Sequence, residues 1–341
     1  MFEKICICGG GSLGHVLAGY LAWKGKSVSL LTNRPNCWQK NITIHTCDNK
    51  DLTGQLAVIS DKPEEVIPDA DVVLFCLPGF LIQEELLKIR DCLRPSTYVG
   101  SVVSSTGFFF EALKLLPENQ PLWGFQRVPF ICRIEEYGTS ANLLGYKSNF
   151  HIAVEHDTIE RKEKFVQQIA TIFGPPTYLL KNYWEASLTN SNPILHTARL
   201  YSMFSTWDTD QRESHNILFY EEWTDDASEL LIQMDCEFFE ILDTLPVSKG
   251  YLPTLLNYYE STDAKSLTKK IRSIASFKGL TSPMKEVDNG WIPDFESRYF
   301  QEDFPFGLRF IWELAHTHHI PTPFIDKVYE WGMRQIGINI G

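Results

Sequence analysis

Residues 4–14 read Lys-Ile-Cys-Ile-Cys-Gly-Gly-Gly-Ser-Leu-Gly, a short apolar run stopped by glycines in a GxGxxG pattern at Gly9, Gly11 and Gly14. Leu13, Val16, Leu17, Tyr20 and Leu21 then follow the i, i+3, i+4 spacing of an amphipathic helix. Strand, glycine turn and helix in that order give the pattern its meaning. Gly9 permits the tight turn, Gly11 has no Cβ to obstruct a pyrophosphate, and Gly14 lets the helix approach the strand. The helix start offers free N–H groups and a positive dipole end to phosphates. The sequence therefore predicts a dinucleotide-binding start, with Ser12 and Leu13 beside the glycines as further cofactor contacts.

The alternation continues. Residues 27–31 and 71–77 read as strands, residues 80–90 as a helix and residues 98–103 as a strand, the pattern of a doubly wound sheet. Near Lys181 helical periodicity takes over, with helices predicted over 183–207, 224–245, 308–316 and 324–332, and loops over 250–257 and 279–296. The predicted fold is α/β: an N-terminal Rossmann domain over 1–180, followed by a mainly α-helical domain over 181–341.

Charge narrows the partners. The chain carries 31 Lys and Arg against 43 Asp and Glu, a net −12. That balance excludes a general nucleic-acid or anionic-membrane binder, which needs a basic footprint. Eight cysteines without metal-ligand spacing read as reduced thiols of a cytoplasmic protein. Residues 1–4 run directly into the first strand, so no signal peptide is expected, and no apolar run is long enough for a membrane span.

The end of the second strand bears on cofactor choice. An NAD site usually places an acid there for the ribose 2′-hydroxyl. This chain has Leu31-Thr32-Asn33-Arg34-Pro35, with no acid before Asp48. Arg34 is suited to pair with a 2′-phosphate, with Thr32 and Asn33 adding neutral hydrogen bonds, so NADP(H) is expected over NAD(H). Arg34 stacked on adenine or turned to solvent is the alternative. Leu77 and Pro78, and Ser104–Gly107 after the next strand, are expected to border the nicotinamide.

A hydride cofactor leaves the protein to supply a proton donor and a substrate clamp. Asn192-Pro193-Ile194-Leu195-His196 is the clearest candidate. Pro193 should kink the predicted helix, Asn192 and His196 share a face, and an imidazole titrates near neutrality. A second cluster runs from Arg298 to Leu308. Pro305 precedes a helical run, so Asp303 should lie near a helix N-terminus, suited to orient an imidazole, while Arg298 would clamp a carboxylate. A capping Asp and a surface Arg is the bland alternative. The histidines at 316, 318 and 319 lack metal-ligand spacing and fit a helix end, so no metal site is expected.

The Asn192–His196 motif, the Arg298-Tyr299 and Glu302–Leu308 block, and the stretch 123–138 (WGFQRVPFICRIEEYG) together resemble the octopine/nopaline (opine) dehydrogenase family. The likeness runs in order along nearly the whole chain. It implies the condensation of an amino acid with a 2-keto acid and reduction of the imine by NAD(P)H. It further implies His196 as proton donor and acceptor, Asp303 as its partner, Arg298 on a carboxylate, and Gln126, Arg133 and Tyr299 lining the same cleft, between the two halves. The partners implied are small anionic substrates, with a homodimer left open. A ketopantoate-reductase-like or other 2-hydroxyacid reductase, and a non-catalytic dinucleotide sensor, remain the alternatives.

Overall fold

The structure, a computed structural model, describes residues 2–338. The chain divides after Ser187 into two compact units.

The first unit is built on an eight-stranded, mostly parallel sheet. Its chain order begins β1 (Lys4–Cys8), α1 (Ser12–Trp23) and β2 (Ser27–Leu31), then β3 (Asn41–Thr46), β4 (Asp51–Gln55), β5 (Val58–Ser60) and α2 (Pro63–Val66). It continues with β6 (Val72–Phe75), α3 (Gly79–Ile89), β7 (Tyr98–Ser101), α4 (Phe108–Leu115) and β8 (Leu122–Phe125). β9 (Phe130–Glu136), β10 (Ser140–Tyr146), β11 (Phe150–Glu155), α5 (Ile159–Phe173), β12 (Thr177–Leu179) and α6 (Tyr183–Ser187) complete it. The sheet order is β12-β11-β8-β7-β6-β1-β2-β5, with β11 antiparallel to β8. This is the predicted Rossmann arrangement.

Period-2 side chains explain why the run Lys4–Cys8 settles at the centre. Ile5 and Ile7 enter the apolar cluster under α1 and α5, while Cys6 and Cys8 enter the cluster under α3 and α4. Val72 and Leu74 divide from Val73 and Phe75 in the same way. A strand covered on both faces has no need of polar alternation.

The sequence reading did not foresee the second sheet, β4-β3-β10-β9. It lies against α1, where Gly19 meets Ile44 so closely that a Cβ would stand 2.8 Å from its Cγ1. The division also falls later than the expected 180. Helix α6 packs on the sheet unit, where Gln126 Nε2 donates to the Glu185 carbonyl at 2.8 Å.

The second unit is mainly helical: α7 (Asn192–Phe204), α8 (Asp225–Asp243), α9 (Leu255–Tyr258), α10 (Ala264–Ser273), α11 (Arg298–Asp303), α12 (Arg309–Thr317) and α13 (Pro323–Gln335). Between α10 and α11 lies a hairpin, β13 (Met284–Val287) and β14 (Gly290–Pro293), where a loop was expected. The expected 183–207 helix is two, because Pro193 takes the first turn of α7, where its missing N–H costs nothing. It starts a helix rather than kinking one. Glu237, buried on α8, fixes α13 by accepting the N–H groups of Phe324 and Ile325 at 2.9 and 2.8 Å. Among the described residues no helix is long and apolar enough to cross a membrane.

Candidate active site

Each unit carries one constellation. In the sheet unit the carboxyl ends of β1 and β6 flank the point where strand order reverses, the place where open α/β sheets bind ligands. Gly9 holds φ +109°, a region open to glycine, and its N–H donates to Leu31 O at 3.0 Å. A Cβ on Gly14 would lie 2.0 Å from Gly9 O, so helix and turn touch through main chain. A Cβ on Gly11 would meet nothing within 4 Å, and no side chain caps the first turn of α1. Open space over an uncapped helix start, with Ser12 and Leu13 in its first turn, fits a pyrophosphate.

The surrounding positions fall as follows. Leu77 packs on Gly9, with its Cδ2 2.6 Å from where a Cβ would be; Pro78 precedes α3. Thr32 is buried, with its hydroxyl beside Gly10, whereas Asn33 and Arg34 are exposed. The Arg34 guanidinium lies 5.9 Å from the Tyr137 ring. The expected turn at Ser104–Thr106 ends on Gly107 at φ +84° and leads into α4, whose Phe108 and Phe109 are wholly buried.

His15, which adjoins the fingerprint, was missed. It is fully buried against Trp38, with ring centroids 4.0 Å apart. Gly138 N–H donates to its Nε2 at 2.7 Å, so the proton sits on Nδ1 and is donated to Gly11 O at 2.9 Å. Burial lowers its pKa and keeps it neutral. A neutral imidazole thus ties the glycine turn to the Gly138 turn.

In the helical unit the structure brings His196 and Asp303 together. Nδ1 stands 2.9 Å from Asp303 Oδ2, with both side chains largely buried. His196 lies one turn into α7. Asp303 ends α11, just ahead of a wide π-helical turn, Phe304–Leu308. This corrects the expectation that Asp303 lies near a helix N-terminus: the helical run starts earlier, at Arg298, and passes through Pro305, whose missing N–H the wide turn accommodates. Packing, not a helix dipole, sets the carboxylate. Gly307 approaches Pro193 (a Cβ would be 3.3 Å from its ring), and Phe300 and Phe304 stack and pack on Trp331.

Tyr299 joins the pair, with its ring 5.0 Å from that of His196. Burial and the nearby Asp303 raise its phenol pKa. Arg298 is exposed and donates from Nε to Glu302 at 2.8 Å, one helical turn on. Asn192 is exposed in the first turn of α7. In the sheet unit, Gln126 is buried and engaged with Glu185 O, and Arg133 is exposed on β9, donating to Cys132 O. Two further side chains escaped the sequence reading. Tyr220 places its hydroxyl 3.0 Å from His196 Nε2, and the buried Arg199 donates to the carbonyls of Phe219 and Glu222.

A Rossmann sheet with an open glycine turn, and a helical unit carrying a buried His–Asp pair, define an NAD(P)-dependent oxidoreductase acting on CH–NH or CH–OH groups. Comparison with known proteins narrows the class. Residues 179–335 match the family described as NAD/NADP octopine/nopaline dehydrogenase, alpha-helical domain, and residues 5–107 match ketopantoate reductase PanE/ApbA. The tauropine dehydrogenase of Arabella iricolor is 28% identical, over 98% of this chain and 91% of its own. The octopine dehydrogenase of Mizuhopecten yessoensis is 27% identical, over 99% and 91%. A solved octopine dehydrogenase structure with NADH and L-arginine superposes with a TM-score of 0.84 at 25% identity, covering 98% of this chain and 89% of that one. The helical unit thus matches the octopine/nopaline dehydrogenase family, and along nearly its whole length the chain is similar to opine dehydrogenases. Solved relatives of this fold hold NADH with L-arginine or with pyruvate.

Proposed function

We propose that this chain condenses the amino group of an amino acid with a 2-keto acid and reduces the resulting imine with NADPH, His196 and Asp303 handling the proton. The observation that carries the reading is the 2.9 Å contact between His196 Nδ1 and Asp303 Oδ2. Asp303 accepts the Nδ1 proton, fixes the tautomer and stabilises the imidazolium, leaving Nε2 as the exchanging nitrogen. A nicotinamide dinucleotide held at the Gly9–Gly14 turn would supply the hydride. Imidazolium then serves as the acid in condensation and reduction, and neutral imidazole as the base in the reverse direction. Tyr299, Asn192 and Arg298 on the helical unit, with Gln126 and Arg133 on the sheet unit, are the proposed substrate-contacting positions. Arg298 has to exchange Glu302 for a substrate carboxylate, a swap its exposure allows.

NADPH over NADH rests on the strand end Thr32-Asn33-Arg34, which offers a cation and no carboxylate to a 2′-phosphate. The octopine dehydrogenase structure holds NADH, so this preference would set the chain apart from it. The test is dinucleotide consumption over a panel of amino acids and keto acids with each cofactor, in wild type and Arg34→Ala. Amine-dependent oxidation of NADPH, with NADPH preference lost in the variant, is the expected result. A wild-type preference for NADH overturns the cofactor assignment. Keto-acid reduction that ignores the amine favours a 2-hydroxyacid reductase instead.

A further inference from the structure

The His196 ring has both nitrogens engaged. Nδ1 is held by Asp303, and Tyr220 Oη stands 3.0 Å from Nε2, the nitrogen that has to exchange a proton with substrate. An imidazole nitrogen has one in-plane direction for hydrogen bonding. A hydroxyl seated there leaves no room for a substrate atom on the same line. The hydroxyl is also firmly built in. Tyr220 is 6% exposed, its ring stacks on Phe277 at 4.0 Å, and its flanks are clamped by a buried cation. Arg199, on the same helix as His196, donates from Nε to Phe219 O at 3.0 Å and from Nη2 to Glu222 O at 2.8 Å. Arg272 adds a bond from Nε to Trp223 O at 2.6 Å. One arginine one turn beyond the histidine thus fixes the loop that delivers the phenol.

We infer that Tyr220 is the last proton carrier between His196 and the substrate, an inference that rests on the proton-transfer role proposed for His196. In the acid direction the Nε2–H bond breaks as a new O–H bond forms at Tyr220 Oη. The original Oη–H bond breaks in the same motion, and its proton passes to the substrate nitrogen or leaving oxygen. Phenol is neutral before and after, imidazolium becomes imidazole, and Asp303 stays a carboxylate. Burial raises the phenol pKa, which disfavours a free phenolate and favours the two transfers in one motion along the Nε2–Oη line.

The test is Tyr220→Phe, which keeps the ring and its stacking and removes only Oη. kcat is expected to fall by about 100-fold or more, within the range of general acid–base catalysis. The KM for keto acid and the dinucleotide Kd should stay near wild type. The rate in mixed H2O and D2O discriminates further: wild type should give the curved dependence of two protons in flight, and the variant a linear one. A tyrosine that merely packs beside the ring would not change that curvature. A variant kcat within threefold of wild type, or a linear wild-type dependence, overturns the relay. The assay uses whichever keto-acid reaction the wild type performs. A wild-type rate independent of amine refutes the opine reading, while the variant-to-wild-type ratio still decides the relay.

Discussion

Asp235 carries a pH dependence that can be worked from its surroundings. It sits on α8, is 5% exposed, and accepts from Asn190 Nδ2 and from Leu255 N–H, both at 2.7 Å. Asn190 also donates to Pro253 O at 3.0 Å, so the carboxylate ties the approach to α7 to the start of α9. Burial pushes its pKa from the ordinary 3.8 up to about 6, against the pull of those two bonds. The folded state then binds the proton more tightly than the unfolded chain, so this group favours folding at low pH and loses that contribution as pH rises from the unfolded value through the folded one. At 1.36 kcal/mol per unit the whole loss is about 3 kcal/mol. Roughly 2 kcal/mol of it falls between pH 4.5 and 7.5. Asp235→Asn removes the titration at the cost of one acceptor, because an amide nitrogen then faces a donor. Urea unfolding of both proteins at pH 4.5 and 7.5 should show the variant's deficit shrinking by about 2 kcal/mol at the higher pH. An equal deficit at both values refutes the assignment.

Asp303→Asn should lower kcat with little change in dinucleotide affinity. A charge-assisted hydrogen bond in a largely buried pair is worth about 1.5–3 kcal/mol, or roughly 10- to 150-fold in rate, read by steady-state kinetics. Unchanged kcat removes Asp303 from the proton pair. Gly14→Ala should raise the dinucleotide Kd at least tenfold in a fluorescence titration, because a Cβ 2.0 Å from Gly9 O forces the turn and α1 apart. An unaltered Kd would show that the turn does not cradle the pyrophosphate.

The sequence made legible what local periodicity and glycine chemistry control. β1, the turn and α1 were readable because each side chain of Lys4–Cys8 has a buried face to enter and each fingerprint glycine has a steric reason. From spacing alone His196 and Asp303, 107 positions apart, were readable only as separate candidates, and the family resemblance paired them. Their meeting depends on Gly307 against Pro193 and on a wide helical turn that no spacing rule announces. Tyr220 was invisible because it stands outside the helices and reaches His196 only through a loop that Arg199 holds. Arg199 itself did carry a signal, three residues beyond His196 and so on its face of the helix. The β13–β14 hairpin was missed because Asp288-Asn289-Gly290 also fits a plain turn in a loop. The second sheet was missed because the pairing that joins its two local hairpins, β10 with β3, links residues about a hundred positions apart.

The clamp on Tyr220 reads main chain rather than side chains. Arg199 spends its donors on the carbonyls of residues 219 and 222, and Arg272 on that of residue 223. Those bonds do not depend on which side chains residues 219, 222 and 223 carry, whereas the Glu222 carboxylate, which accepts the Leu218 N–H at 2.6 Å, adds a tie that does. In mechanical terms, the main-chain share of the clamp would outlast substitution at residues 219 and 223 wherever the buried volume is kept.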